Sequence, residues 1–168
     1  MIALLIVSAI FSMIILFWQI SNLISVFYGS PYVKTKYHII KKALDIANLK
    51  KDDVFYDLGC GSGDVLIEAS KYGVKAIGYE ISPYYYILAK LRTMRYHNIE
   101  VKYQNIHKVD FAKADVIYCY LLPKLLAKID FTNVKKQTKI ISIGFQIPKL
   151  KLVKHIQYKN HNIFLYSK

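Results

Sequence analysis

Three glycines alternate in the segment Val54–Leu66, which reads VFYDLGCGSGDVL. They stand at positions 59, 61 and 63, between two short apolar runs. A glycine loop that follows a strand and opens a helix lies in the ligand crevice of a doubly wound α/β sheet. The pattern therefore indicates a nucleotide-like ligand, and the question is whether that ligand carries phosphate.

The loop departs from both common phosphate-binding patterns. The dinucleotide fingerprint G-x-G-x-x-G fits Gly59 and Gly61, but its sixth position is Asp64, and the loop has no P-loop lysine. A helix N-terminus attracts anions, whereas Asp64 at that terminus and Asp57 just before the loop repel them. These carboxylates favour a ligand with an ammonium or sulfonium group. S-adenosylmethionine carries both and has no phosphate.

A third carboxylate, Glu80, ends the next apolar run, AIGYE, 23 residues after Asp57. At this point of a nucleotide-binding sheet, an acidic residue accepts hydrogen bonds from the ribose hydroxyls. Taken singly, a glycine turn is often just a tight turn, and a glutamate at a strand end is usually solvated. The order strand, DxGxGxG, helix, strand and glutamate predicts a methyl-donor site with S-adenosylmethionine as cofactor.

The cysteines and histidines show no metal-binding pattern. Cys60 and Cys119 are far apart in the chain, and the five histidines form neither an HExxH motif nor a Cys/His cluster. We therefore expect two reduced thiols and no structural metal.

Strand and helix signals alternate along the part of the chain that carries these residues. Helices are predicted at Lys36–Leu49, Asp64–Tyr72, Pro83 to about His97, with Ser82 as N-cap, and Pro123–Ile129. Strands are predicted at Val54–Leu58, Lys75–Tyr79, Glu100–Tyr103, Ala114–Leu121, Thr138–Ile147 and, as a hairpin across Lys159–Asn162, at Leu152–Tyr158 and Ile163–Tyr166. This order predicts an α/β fold, a Rossmann-like doubly wound and mainly parallel sheet with C-terminal antiparallel strands.

The N-terminal segment is apolar and uncharged from Ile2 through Tyr28. At about 1.5 Å per residue, a helix of this length spans a hydrocarbon core of about 30 Å. A cleaved signal peptide needs a basic start and a small-residue cleavage site, and the chain has neither a basic start nor an A-x-A pattern at SVFYG (Ser25–Gly29). We therefore predict a transmembrane anchor over residues 1–28 and a methyltransferase domain over residues 29–168.

The chain of 168 residues has a net charge of +13, and all 24 of its Lys and Arg residues follow Val33. Lysines crowd the C-terminal flank of the apolar segment, so the positive-inside rule predicts an N-out topology with the domain at the cytoplasmic face. A cationic domain suits an anionic membrane surface, nucleic acid or acidic protein. Compositional bias towards Lys, Ile, Tyr and Asn is an alternative origin of the same charge.

Two of these stretches, DLGCGSG and GYEIS, resemble the class I (seven-strand) S-adenosylmethionine-dependent methyltransferases. The resemblance implies that Asp57 and the loop backbone hold the methionine part, while Glu80 holds the ribose. The cofactor-binding residues implied in this region are Asp57, Gly59, Cys60, Gly61, Gly63, Glu80 and Ile81.

A narrower resemblance, to the small protein-lysine methyltransferases of archaea and mitochondria, rests on four more stretches: PYVKT, NIHKVDF, ADVIYCYLLP and KIISIGFQIP. It implies that Asn105 contacts the adenine edge, and that Tyr32, Thr35 and Tyr120 lie near the donor or the incoming amine. The family usually has P-T-P where this chain has Lys34-Thr35-Lys36, and G-D-G-R where it has residues 61–64. The tryptophan that often follows the FxIP stretch is absent.

Tyr120 is the candidate residue for positioning the acceptor. Tyr118 and Tyr120 alternate on one predicted strand and share a face, whereas Cys119 points the other way. Tyr120 at the strand's end could hold a lysine amine by cation–π contact, although strand aromatics are commonly core residues. The acceptor is then a protein, and a membrane protein is one candidate. Methylation of RNA or of a lipophilic small molecule, and a non-catalytic membrane-tethered module, are the alternatives.

Overall fold

The computed structural model describes residues 1–28 and 32–168. The predicted domain boundary at Gly29, and Pro31 of the PYVKT stretch, lie outside the described residues. The helices are α1 (Ile2–Phe27), α2 (Tyr37–Ala47), α3 (Asp64–Ser70), α4 (Pro83–Thr93) and α5 (Pro123–Leu126). The strands are β1 (Val54–Leu58), β2 (Lys75–Glu80), β3 (Ile99–Tyr103), β4 (Val116–Cys119), β5 (Lys139–Ile143), β6 (Leu152–Tyr158) and β7 (His161–Ser167).

The seven strands form one sheet in the order β3-β2-β1-β4-β5-β7-β6. The first five in that order run parallel, and β7 and β6 are antiparallel to their neighbours. This arrangement confirms the predicted Rossmann-like sheet. Because β1 lies between β2 and β4, the carboxyl ends of these three strands meet at one edge of the sheet.

Buried side chains form one hydrophobic cluster on each face of the sheet. The apolar stripe of α2, with Ile39, Ile40 and Leu44, packs in one of them, as its helical spacing predicts. Tyr118 belongs to that same cluster, whereas Cys119 belongs to the opposite one. The predicted alternation along β4 is therefore confirmed.

Several elements are shorter than the sequence predicts. Helix α4 ends at Thr93 and not near His97, because Asn98 donates from its side-chain amide to the carbonyls of Ser70 and Val74 and so holds the chain against the α3–β2 turn. Strand β5 ends at Ile143, because the next residue, Gly144, takes a left-handed φ of 85°.

Strand β4 and helix α5 are likewise shorter than predicted.

The hairpin of β6 and β7 has a tighter turn than predicted. This turn is formed by Lys159 and Asn160 alone, with φ values of 44° and 60°. Positive φ at both central residues is the geometry of a two-residue hairpin loop. Strand β7 therefore begins at His161, two residues earlier than predicted.

Helix α1 is a 26-residue apolar helix that is long and apolar enough to cross a membrane. Most of its surface is exposed, and only Ser21 and Ser25 are buried, near its C-terminal end. Ser21 accepts a hydrogen bond from the Tyr84 N–H at 3.1 Å, so it caps the first turn of α4. Ser82 holds the N-cap position as predicted, but its buried hydroxyl has no partner among the described residues and does not make the cap.

Candidate active site

One cleft opens at the carboxyl ends of β1, β2 and β4, where the sequence predicts the ligand. It is lined by the glycine loop, by the segment Tyr32–Thr35 and by the start of the loop after β4. The structure places all the predicted site residues at this cleft except Gly63: Tyr32, Thr35, Asp57, Gly59, Cys60, Gly61, Glu80, Ile81, Asn105 and Tyr120.

Gly63, unlike Gly59 and Gly61, does not line this cleft. It is the N-cap of α3 with a φ of 81°, and a Cβ there would lie 3.3 Å from the Thr93 side chain and 3.5 Å from that of Ala89. A glycine is therefore needed because α4 packs closely against the loop from behind. Gly63 shapes the cleft without lining it.

The glycine loop is tied to β2 by backbone hydrogen bonds. The N–H groups of Gly59 and Cys60 both donate to the Tyr79 carbonyl, at 2.8 and 3.1 Å. Burial raises the pKa of the Cys60 thiol well above its ordinary value, so this side chain is a neutral, packed thiol. The loop presents backbone to the cleft, which is what close approach of a ligand requires.

Glu80 is held by three backbone donors. Its Oε2 accepts from Gly61 at 2.8 Å, and its Oε1 accepts from Ile81 at 2.9 Å and from Ser82 at 2.8 Å. Burial raises the pKa of Glu80, and the three hydrogen bonds oppose that rise. A carboxylate accepts about four hydrogen bonds, so Oε2 retains room for one further donor. The predicted pairing with both ribose hydroxyls would need one backbone bond to loosen.

Asp57 and Tyr118 lie side by side on neighbouring strands, and each carries a buried polar atom. Asp57 and Tyr118 are paired in the β1–β4 register. Within the described part of the chain, neither Asp57 Oδ2 nor the Tyr118 hydroxyl has a hydrogen-bond partner. Thr35 lies beside the Tyr118 hydroxyl. Since buried polar groups are almost always paired, these atoms mark the place where a polar ligand group fits.

The charge state of Asp57 responds to its surroundings. Burial, and then the negative charges of Glu80 and Asp64, raise the pKa of Asp57 well above its ordinary value. A cationic group placed against Oδ2 would reverse this effect and favour the carboxylate. The ammonium group of S-adenosylmethionine meets that need, so the residues present fit this cofactor.

Asp64 does not act as the sequence predicts. Its Oδ1 forms an ion pair with Arg92 at 2.6 Å, and its Oδ2 accepts from the Ser62 hydroxyl at 2.8 Å. Burial alone would raise the pKa of Asp64, but these bonds outweigh it and lower the pKa. Its charge is thus balanced by an arginine from α4, which leaves Asp57 and Glu80 as the acidic groups that can receive a cationic ligand.

Tyr32 lies across the glycine loop. Its ring stacks on Tyr85 with centroids 4.0 Å apart, and its hydroxyl is 2.9 Å from Ser62 Oγ. A Cβ at Gly61 would meet the Tyr32 ring at 2.6 Å. Tyr32 therefore covers the loop, and Gly61 makes this contact possible.

Two further predicted residues border the cleft on other sides. Asn105 accepts from the His107 N–H at 3.0 Å through Oδ1, which leaves its amide N–H groups as donors. Tyr120 is half-buried, and its ring lies 3.4 Å from the position of a Cβ at Gly144. The left-handed Gly144 thus leaves space for the ring.

Sequence reasoning missed three contributions to the cleft. Arg92 neutralises Asp64, the Tyr118 hydroxyl lies unpaired beside Asp57, and the end of α1 contributes Ser25 and Tyr28 to the lining. The sequence held no distinct signal for the last of these, because Ser8 and Ser12 show the same spacing of four residues in the same helix and are exposed. Among the described residues, no group of three or more His, Cys, Asp or Glu side chains is arranged to hold a metal ion.

Comparison with known proteins agrees with this geometry. The family model of the ANTKMT methyltransferase domain matches residues 57–154. The chain is also 31% identical over 150 residues to a protein-lysine N-methyltransferase of Saccharolobus islandicus, covering 81% of this chain and 92% of that protein. The chain belongs to this methyltransferase family. The predicted resemblance and the predicted cofactor, S-adenosylmethionine, are thereby confirmed.

The chain is also similar to a more distant relative and to a solved structure. A lysine N-methyltransferase of Xenopus laevis, named for its action on an ATP synthase component, is 23% identical over 124 residues, which are 70% of this chain and 54% of that protein. Among solved structures, an RNA methyltransferase from Salinibacter ruber in complex with S-adenosyl-L-homocysteine superposes with a TM-score of 0.76 at 24% identity. It covers 80% of this chain and 93% of that chain, which establishes the shared fold.

Proposed function

We propose that this protein is a membrane-anchored methyltransferase that transfers methyl groups from S-adenosylmethionine to lysine side chains of protein. The observation that carries the proposal is the buried, unpaired Oδ2 of Asp57 in the cleft of a methyltransferase domain. The names of the relatives from Saccharolobus islandicus and Xenopus laevis support lysine as the acceptor.

The polar groups of the cleft could each hold one group of the cofactor. Asp57 Oδ2 would accept from the ammonium group, Glu80 Oε2 would accept from a ribose hydroxyl, and the Asn105 amide would donate to the adenine edge. Gly59 and Gly61 let the loop backbone approach the ligand. When bound, S-adenosylmethionine supplies a sulfonium methyl group that a nucleophile can attack in line, without an acid for the leaving thioether.

Tyr120 stands at the acceptor side of the cleft in this proposal. A lysine ammonium must lose its proton before it can attack, and desolvation in an apolar channel lowers its pKa. Leu121 and Leu125 line the cleft beside Tyr120 and provide such apolar surface. The Tyr120 ring holds the incoming lysine ammonium by cation–π contact until water takes its proton, and positioning of the two reactants supplies most of the rate enhancement.

Helix α1 anchors the enzyme with its N-terminus outside and the domain at the cytoplasmic face. The lysines that follow α1, from Lys34 to Lys51, support this topology. The excess positive charge of the domain then suits the anionic membrane surface. A protein embedded in the same membrane is the acceptor that such an anchor brings within reach.

Transfer of label from S-adenosylmethionine tests the proposed acceptor. The full chain is incubated with membranes and radiolabelled donor, and membrane protein, RNA and lipid are then separated and counted. Label in protein that depends on Asp57 supports the proposal. Label confined to RNA or lipid, or saturable donor binding without transfer to any fraction, would overturn it.

A further inference from the structure

The outer face of α4 carries an unpartnered apolar stripe. Ile87, Leu91 and Met94 are 48%, 62% and 75% exposed, and their spacing of four and three residues places them on one side of the helix. Tyr84, three residues before Ile87, begins the same stripe. Its ring contacts Phe17 of α1 edge-on at 6.3 Å, so the stripe continues directly from the surface of α1.

The docking of α1 on α4 sets the level at which this stripe lies along the axis of α1. Contacts with α4 involve the C-terminal part of α1, where Ser21 binds the Tyr84 N–H and Phe17 packs on the Tyr84 ring. Residues 2–20 rise about 28 Å at 1.5 Å per residue, which is close to the thickness of a hydrocarbon core. If those residues span a bilayer, the N-terminus of α4 lies at headgroup depth.

The charged side chains that α4 and the residues just after it contribute are all basic. The segment 82–98 contains Lys90, Arg92 and Arg95 and no Asp or Glu. Arg92 is neutralised by Asp64, whereas Lys90 and Arg95 make no ion pair with the described residues. The ammonium of Lys90 lies 5.4 Å from the centroid of the Tyr86 ring, and both Lys90 and Arg95 are exposed. Exposed apolar side chains flanked by exposed cations are the features of a helix that lies on an anionic lipid surface.

We propose that α4 rests on the bilayer that α1 spans, with Ile87, Leu91 and Met94 in the interfacial region and Lys90 and Arg95 among anionic headgroups. This second contact fixes the orientation of the domain, which one helix alone would leave free to rotate. The cleft mouth, to which α1 contributes Ser25 and Tyr28, is then held beside the membrane. The inference rests on the proposed membrane anchoring and adds a second surface to it.

Site-specific fluorescence quenching tests the α4 contact. Cys60 and Cys119 are buried, so a single introduced cysteine is the reactive thiol of the folded chain. An environment-sensitive fluorophore is attached in turn at Leu91→Cys, at Val153→Cys and at Ile10→Cys. Val153 is the matched control because it is 58% exposed and lies on β6, at the opposite edge of the sheet from the β3 edge next to α4.

The full-length protein is reconstituted in phosphatidylcholine vesicles with and without phosphatidylglycerol, using lipids that carry quenchers near the headgroup or in the acyl chain. We expect acyl-chain quenchers to quench the probe at position 10 and headgroup quenchers to quench the probe at position 91. The probe at position 153 should be quenched by neither. Phosphatidylglycerol should strengthen quenching at 91, and Lys90→Glu with Arg95→Glu should remove that gain while leaving position 10 unchanged.

The remaining outcomes separate the inference from the anchoring on which it rests. Quenching at 10 without quenching at 91 would overturn the α4 contact and leave the anchor in place. A probe at 91 that is shielded from both lipid and aqueous iodide would mean that protein, such as a second copy, covers the stripe, which also contradicts the inference. Quenching at neither 10 nor 91 would overturn the anchoring and the α4 contact together.

Discussion

The glycine-loop cleft and helix α1 are built under opposite constraints. In the cleft, single atoms decide what fits: a Cβ at Gly61 would lie 2.6 Å from the Tyr32 ring, and Asp57 holds a buried oxygen ready for one donor. Along α1, all but a few side chains are exposed apolar groups that any similar residue could replace. The cleft therefore depends on residue identity, whereas α1 depends on composition, except at Ser21 and Ser25.

Removing the charge of Asp57 should lower the affinity for the cofactor more than any other single substitution. In Asp57→Asn the cofactor's ammonium loses its anionic acceptor, and hydrogen bonds to charged groups contribute about 1.5–3 kcal/mol. We expect cofactor affinity to fall roughly 13- to 160-fold, measured by calorimetry on the full chain in detergent. Asp52→Asn, at an exposed turn residue, is the control and should bind as the wild type does.

The pH dependence of binding gives the Asp57 prediction a second readout. Since the pKa of Asp57 is raised in the free protein and the ammonium favours the carboxylate, binding should release protons. Affinity should rise with pH above the ordinary carboxyl range and level off beyond the raised pKa. This slope should be smaller in Asp57→Asn, where Glu80, whose pKa burial also raises, is the remaining titrating carboxyl of the cleft. An identical slope in both proteins would mean that another group binds the ammonium.

A side chain at Gly61 should damage both stability and binding. The φ of 52° disfavours a Cβ, and the Tyr32 ring occupies its place. We expect Gly61→Ala to lower the free energy of unfolding by about 1–3 kcal/mol, measured by denaturant titration. Adding Tyr32→Ala should recover the steric part of that loss and leave the backbone strain. No recovery in the double variant would show that Tyr32 does not cover the loop.

Helix α1 should be sensitive at its buried serines and tolerant elsewhere. Ser21→Leu places a large side chain against α4 and removes the acceptor for the Tyr84 N–H. The free energy of unfolding of the domain, measured by thermal denaturation, should therefore fall by about 1–3 kcal/mol. Ser8→Leu makes the same change at an exposed position of the same helix and should have little effect. Equal effects of the two substitutions would contradict the docking of α1 on α4.

The smallest effect is expected from the Tyr118 hydroxyl. Tyr118→Phe removes a buried hydroxyl next to Asp57, the residue that we propose binds the amino-acid end of the cofactor, and a neutral hydrogen bond contributes about 1 kcal/mol. Affinity for S-adenosylhomocysteine should fall about fivefold, whereas affinity for methylthioadenosine, which lacks the amino-acid end, should not change. An equal loss for both ligands would place Tyr118 elsewhere in the site.

The sequence predicts what is local and misses what is brought together by folding. Asp57 and Glu80 could be identified because each stands at the end of a short apolar run and flanks a recognisable loop. The pairing of Asp64 with Arg92, 28 residues later, could not, because nothing in the sequence shows which basic residue of α4 turns towards the loop. The role of Ser21 also depends on contact with a distant turn, at Tyr84.

Element ends follow the same rule. The start of α4 at Pro83 is a local signal and was predicted correctly, whereas its end at Thr93 depends on the bonds of Asn98 to Ser70 and Val74. The end of β5 depends on the left-handed conformation of Gly144, which the alternating pattern through Ile147 conceals.

Mass spectrometry of methylated lysine tests the central claim most directly. Membranes are incubated with methyl-deuterated S-adenosylmethionine and either the full chain or Asp57→Asn, and the proteins are hydrolysed to amino acids. We predict deuterated methyl-lysine with the wild type and a strongly reduced amount with the variant. Deuterated methyl groups on other amino acids, on nucleosides or on lipids, with none on lysine, would contradict the account.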